Sequence, residues 1–386
     1  MRFPRLPASL QPNTISARLD ALHAAGVAVA DLTESNPTAV GFRYPDDLLS
    51  ALSAPAALRY TPSPFGTEQA RCAVSREFAR RGHPVAPDNI VLTASTSEAY
   101  SWLFKLFCAP GDRVLVPRPS YPLFEHLAAL ECVTLDAYDL SYHGRWDIDV
   151  GAIERSDRDV RALIVVTPNN PTGSCVTREE VTTLTRICRD RGWVLIADEV
   201  FADYVLDPTA VARDLAADAG CLTVSLGGLS KSVGLPQVKV AWMALGGPRD
   251  DVDRAKGGLE MVADNFLSVS TPAQVALPDL LSRGANVRDE ILSRVRVNLS
   301  ILREVTAGLP QCDVSRVDGG WSAPIRVPAT RSEESIVLAA LEQEGVLVHP
   351  GFFFDFRHEA YLVVSLIVDP DMMRAALPRV LRVATA

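Results

Sequence analysis

No two cysteines in the chain are spaced C-x-x-C, and no histidine stands at metal-ligand spacing from any of the seven, at positions 72, 108, 132, 175, 188, 221 and 312. An odd, scattered set argues against a disulfide framework and against a zinc site, and fits reduced thiols in a cytoplasmic protein. No run approaches the ~20 apolar residues of a membrane-spanning helix, and the opening MRFPRLPASLQP lacks an apolar stretch of signal-peptide length. A basic stripe is missing too. With a net charge of −9 the chain is no match for a nucleic acid or another polyanion, although a single phosphate could still be held locally. Neither an internal repeat nor a low-complexity segment is visible, and no helix-turn-helix module is appended.

What is present is a rhythm. The 386 residues exceed the ~250–300 at which single cores stop growing, so two domains are expected. Short apolar runs alternate with helical patterns: NIVLTA (89–94), RVLVP (113–117), ALIVVT (162–167), WVLIAD (193–198), LTVSL (222–226) and VKVAWMAL (238–245). Runs rich in Val, Ile and Leu between helices predict an α/β domain over about 48–285, with a mostly parallel sheet covered on both faces. NVRDEILSRVRVNLSILREVTAGL predicts a long helix leading into a smaller α+β domain, 286–386, built from SAPIRVP (322–328), the helix in SEESIVLAALEQEG and YLVVSLIV (361–368). Residues 1–47 carry too little apolar content to fold alone and are expected to pack on that smaller domain.

In an open α/β sheet, ligands bind beyond the carboxyl ends of the strands. Ser95, Thr96 and Ser97 open a helix there, offering hydroxyls and free N–H groups to a phosphate; a plain helix cap reads the same way. Tyr121, held between prolines, can stack on a flat ring. Asn170 sits in the rigid turn PNNPTG. Asp198 ends a very apolar run, where a carboxylate is costly unless it meets a cation. Lys231 follows Ser230 in SLGGLSKSVGLPQVKV, where a lysine among small residues is either a loop residue or a desolvated, nucleophilic amine. A phosphate cup, a stacking ring, a hydrogen-bond donor, a carboxylate for a protonated pyridine and a Schiff-base lysine are together the requirements of pyridoxal 5′-phosphate.

PNNPTG, ADEVFADY and LSKSVGLP, in this order and separation, resemble the corresponding segments of the fold-type-I pyridoxal-phosphate enzymes, and specifically the class I/II aminotransferases, over essentially the whole length. The resemblance implies a large domain with a seven-stranded-type sheet. It further implies that Lys231 is the Schiff-base lysine and general base, and Asp198 the partner of the ring nitrogen. Asn170 becomes the donor to the ring hydroxyl, Tyr121 the stacking ring, and Ser95, Thr96, Ser97 and Ser230 the phosphate neighbourhood. Tyr60 resembles the tyrosine that reaches the phosphate of a neighbouring subunit, implying a homodimer with shared sites. Cis bonds before Pro119 and Pro171 are implied as well.

Four positions depart from the family pattern. Phe201 replaces a tyrosine that donates to the ring hydroxyl, which removes a hydrogen bond from the charged oxygen and raises the basicity of the lysine–cofactor linkage. Lys239 stands for an arginine on the phosphate, keeping charge but losing the bidentate fork. Gly228 stands for a serine. Val363 falls where the family carries its substrate-carboxylate arginine, so Arg357, or else Arg43 or Arg326, is the candidate replacement, against the alternative that each is a surface arginine. Ser35, Asn36 and Trp321 are candidate substrate contacts, and one of Phe352, Phe353 and Phe354 is expected to reach the site. The expected activity is therefore transfer of an amino group between an amino acid or amine and a 2-oxo acid, with no metal. A β-lyase or decarboxylase is the rival the missing arginine favours, and a non-enzymatic cofactor-binding regulator is the remote one.

Overall fold

The computed structural model describes residues 5–7, 11–156, 159–208, 211–218, 220–267, 269–358 and 360–386. Eight strands make the main sheet: β1 (Ile90–Thr93), β2 (Arg113–Arg118), β3 (Thr134–Tyr142), β4 (Trp146–Ile148), β5 (Val160–Val166), β6 (Val194–Asp198), β7 (Thr223–Gly228) and β8 (Ala241–Gly246). Their spatial order is β1-β8-β7-β6-β5-β2-β3-β4. β2, β3, β5, β6 and β7 pair in parallel, and β8 runs antiparallel between β1 and β7. The seven-stranded arrangement is thus extended by β4, a short antiparallel edge strand on β3. β6 and β7 are buried at every position, which is why they read as unbroken apolar runs rather than alternating ones.

The last apolar run does not begin where its hydrophobicity does. Pro236–Val238 form a 3-10 turn and Lys239 adopts a left-handed backbone (φ 59°), so β8 starts only at Ala241. The Leu229 N–H donates to Val240 O at 2.9 Å, fastening the Ser-Lys segment to this turn. Helices cover both faces. The one at Arg178–Arg191 shows how locally the sequence specifies its ends: Thr177 and Glu180 form a reciprocal capping box, and Gly192 closes it in the left-handed conformation.

Beyond the 23-residue helix Ala285–Ala307 lies a four-stranded antiparallel sheet ordered Asp313–Val314, Ser322–Arg326, Tyr361–Ser365, His349–Pro350. The run YLVVSLIV leaves this sheet after Ser365, because the buried Asn298 side chain donates to both Leu366 O and Val368 O (2.8 Å each) and holds that stretch outside the ladder. A helix at Thr14–Ala24 and a parallel pairing of Ala30–Asp31 with Val346–Leu347 tie the N-terminal segment here. One apolar cluster unites Ile15, Leu32 and Phe42 with Phe201, Tyr204 and residues from Val287 to Ala384, while four others lie within 48–281. Among the described residues no helix is long and apolar enough to cross a membrane.

Candidate active site

Asp198 ends β6, and Lys231 follows β7 on the short helix Leu229–Ser232. Neighbouring parallel strands therefore bring carboxylate and amine to one edge of the sheet. The Asp198 side chain is buried, and burial pushes its carboxyl up to about 6 against the opposing pull of the Tyr100 hydroxyl, the Val200 amide and Lys231. Tyr100 Oη donates to Asp198 Oδ2 at 2.9 Å and Val200 N to Oδ1 at 3.3 Å. Lys231 Nζ lies 4.7 Å from the Trp321 ring centroid and 5.6 Å from that of Phe201. The residue as a whole is partly exposed, yet protein atoms crowd the amine, and this desolvation brings it down to about 8 although Asp198 pulls the other way. Among the described residues Nζ has no hydrogen-bond or ion-pair partner. The lysine backbone, by contrast, is anchored by Tyr204, whose hydroxyl donates to Lys231 O at 2.6 Å.

Two cis peptides, before Pro168 and Pro171, belong to the PNNPTG turn and a third, before Pro119, to the PRPSYP loop; the one before Pro168 has no counterpart in the sequence pattern. Asn169, buried, donates through Nδ2 to Pro119 O (3.1 Å) and Thr172 Oγ1 (2.8 Å), joining the two loops. Gly173 (φ 66°) must be glycine, since a Cβ there would lie 2.6 Å from Val317 Cγ1 and 2.8 Å from Gly319 O. Gly173 O then accepts from Asp318 N and Gly319 N, and this docking carries Trp321 onto Lys231. Ser322 Oγ donates to Asn170 Oδ1 at 3.2 Å, which leaves the Asn170 NH2 group free to donate elsewhere.

Ser95 caps the helix Thr96–Phe107, its Oγ accepting from Glu98 N at 3.1 Å. The amides of Thr96 and Ser97 have no acceptor among the described residues, so two donors and the positive helix end lie together beyond the end of β1. Gly228 is explained by packing: a Cβ would stand 3.1 Å from Ala241 Cβ on the adjacent strand. Ser230 is partly exposed and Lys239 exposed.

A cavity of about 200 Å³ has Ser35, Tyr121, Asn170, Ser322, His349 and Val363 among its walls. Phe353 and Phe354 line it too, whereas Phe352 is outside its lining and 47% exposed. Asn36 is exposed and engaged in its own turn, accepting from Thr38 N and Oγ1. Arg357 lies away from the cavity lining: it is exposed and its Nη1 donates to Asp139 Oδ2 at 2.6 Å, satisfied by a surface carboxylate. Arg43 and Arg326 are exposed as well. A larger cavity of about 480 Å³, containing Cys188, Trp193 and Arg254, sits at the amino ends of the parallel strands, the edge opposite to the one where such sheets bind ligands.

The family model for aminotransferase class I and II matches residues 31–380. The chain belongs to the class I and II aminotransferases. Relatives of this aminotransferase include the glutamate-pyruvate aminotransferase AlaA of Haemophilus influenzae, 26% identical over 92% of this chain and 91% of that protein. The alanine aminotransferase of Mycobacterium tuberculosis is 29% identical over 92% of this chain and 85% of its own length. Nicotianamine aminotransferase 1 of Oryza sativa subsp. japonica is 30% identical over 61% of this chain and 48% of its own length. In fold, the aminotransferase superimposes on a crystal structure of an aminotransferase from Escherichia coli with a TM-score of 0.86, covering 99% of this chain and 97% of the other at 24% identity. Enzymes of this family use pyridoxal phosphate.

Two groups that hold this aminotransferase site together escaped the sequence reading. Tyr100 was indistinguishable from any apolar residue on the inner face of its helix, and Ser322 from any strand residue; the available signal was that Asp198 needed a partner and Tyr100 carried a buried hydroxyl. Tyr100→Phe is expected to remove a donor that stabilises ionised Asp198, moving the acid limb of the pH–rate profile to higher pH and lowering kcat/KM about tenfold at pH 6.5. An unshifted limb would show that Tyr100 has only a packing role.

Proposed function

We propose that this aminotransferase uses pyridoxal 5′-phosphate to exchange an amino group between an amino donor and a 2-oxo acid. The observation that carries the cofactor assignment is the set of unsatisfied groups at one sheet edge. Among the described residues a buried carboxylate has no ion-pair contact, an amine has no hydrogen-bond partner, two helix-end amides have no acceptor and an asparagine NH2 is free to donate. These match a pyridinium nitrogen, a carbonyl carbon, a phosphate and a ring oxygen in turn. When bound, the cofactor supplies an electrophilic carbon and a ring that draws electrons from the substrate carbon.

On this reading Asp198 holds the proton of the ring nitrogen in place, with Tyr100 and Val200 N orienting the carboxylate. Thr96, Ser97 and the Ser95 and Ser230 hydroxyls bind phosphate, and exposed Lys239 adds charge there. Asn170, held by Ser322, donates to the ring oxygen, while Tyr121 covers one ring face. Lys231 Nζ, already partly deprotonated near neutral pH, takes the proton from the substrate carbon and returns it. Trp321 and Phe201 keep bulk water from that amine. Residues 48–285 form the cofactor domain, with 1–47 and 286–386 making the smaller one. Tyr60 and Leu58, 65% and 91% exposed, are suited to a second copy of the chain, so we read a homodimer in which Tyr60 reaches the partner's phosphate.

Cofactor-loaded protein mixed with a panel of amino acids and amines tests the reading. A donor is expected to deplete the visible cofactor band, and an added 2-oxo acid to restore it. If ammonia, pyruvate or carbon dioxide accumulates while the band persists, a lyase or decarboxylase replaces the transferase.

A further inference from the structure

Among the described residues, the cavity beside the proposed cofactor region has no lysine or arginine in its lining, and His349 and Tyr121 are its titratable side chains. His349 is paired directly opposite Val363 in the antiparallel ladder between His349–Pro350 and Tyr361–Ser365. Directly opposed residues project to the same face with Cβ atoms ~5 Å apart. The imidazole therefore occupies the stretch of wall that Val363 leaves without a polar group. Phe353 and Phe354 flank it, ring centroids 5.8 and 5.7 Å away, and among the described residues neither ring nitrogen has a hydrogen-bond partner. The loop that carries these phenylalanines is fixed from behind, where buried Glu333 accepts from Phe352 N (2.8 Å) and Tyr361 N (2.7 Å).

Burial lowers the imidazole below its ordinary range, although the Asp31 carboxylate pulls the other way. At pH 8 the ring is thus neutral. A free carboxylate seated against it would lose water, gain no fixed cation and feel the negative Asp31, whereas a hydroxyl or amide gains a hydrogen bond without an unpaired charge.

Resting on the transferase reading, we propose that His349 determines specificity, and that the preferred amino donor carries an apolar body and presents an uncharged hydrogen-bonding group, such as a hydroxyl or an amide, to this wall. The apolar body packs against Tyr121, Phe353 and Phe354; the amino group points to Lys231.

The test uses cofactor-loaded enzyme at pH 8 with three donors of one body: L-phenylalanine, L-phenylalaninamide and L-phenylalaninol. Binding is read by calorimetry, which needs no turnover, and transfer is read separately as amination of an added 2-oxo acid. The amide and alcohol are expected to bind about tenfold more tightly than the carboxylate, the scale of one well-made hydrogen bond. His349→Ala should erase that preference, and His349→Gln, which keeps a donor and an acceptor, should restore most of it. A carboxylate that binds as tightly as the neutral pair, a preference unchanged in His349→Ala, or no measurable binding of any of the three would overturn the proposal. Binding in the expected order without transfer to the oxo acid would instead overturn the transferase reading and leave the role of His349 standing.

Discussion

Replacing Lys231 with alanine is expected to lower turnover by about 10⁴-fold and to abolish the visible absorbance of the cofactor-loaded protein. One side chain supplies both the covalent attachment and the proton carrier, and general acid–base catalysis alone contributes up to ~10⁴. The environment explains why this lysine can react. Its amine is brought down to about 8 by burial, so near pH 8 about half is neutral, against well under 1% for a lysine at the ordinary value. In the cofactor-free protein, acylation of Lys231 by an amine-directed reagent should accordingly rise with pH through a midpoint near 8, read by mass spectrometry. A visible band that survives Lys231→Ala would remove the lysine from its role.

Asp198→Asn is expected to reduce kcat by about 10²–10³, the range for losing one preorganised electrostatic partner of the reacting group. Asparagine keeps the size and can still accept from Tyr100, so the loss isolates charge. Stability responds in the opposite sense. In the cofactor-free chain the Asp198 carboxyl is raised to about 6, so the folded state holds its proton more tightly than the unfolded state does. The resulting penalty is absent below the unfolded value near 4, grows as pH rises and is complete above about 6. Cofactor-free Asp198→Asn should therefore melt at a higher temperature than the wild type at pH 8 and at the same temperature at pH 4. Equal melting at both values would mean that Asp198 meets a cation even without the cofactor. A site built from strained charges that only a ligand relieves is expected where function, not stability, was selected.

The sheet was legible because parallel strands buried on both faces must be apolar at every position, and ALIVVT and WVLIAD can hardly be anything else. The residues at the strand ends followed from that geometry. Lysine scarcity is a further signal: four of the 38 basic residues are lysines, and of these Lys105 is occupied by Glu131 on the surface. Direction was not legible, since nothing in VKVAWMAL states that β8 runs antiparallel. Arg357 shows a second limit. Sequence position puts an arginine near the site, but its guanidinium follows the nearest carboxylate, Asp139, which comes from a strand 218 residues away in the chain. His349 stayed invisible for a related reason, because only the register of two short strands sets it opposite Val363.

The C-terminal strands that wall the substrate cavity and the main-sheet strands that carry Asp198 and Lys231 pack into different apolar cores, joined through Phe201, Tyr204 and Trp321. Val348, Leu362 and Val364 belong to the cluster of the C-terminal sheet, and Ile196, Val224 and Leu226 to one beneath the main sheet. Substitutions beside His349 or Val363 can thus spare the strands that lead to Asp198 and Lys231, but they share a core with Phe201, Tyr204 and Trp321, which surround Lys231, so repacking there is felt at the amine. A change of donor preference and a change in the reactivity of Lys231 are therefore coupled through the three aromatic residues that both share.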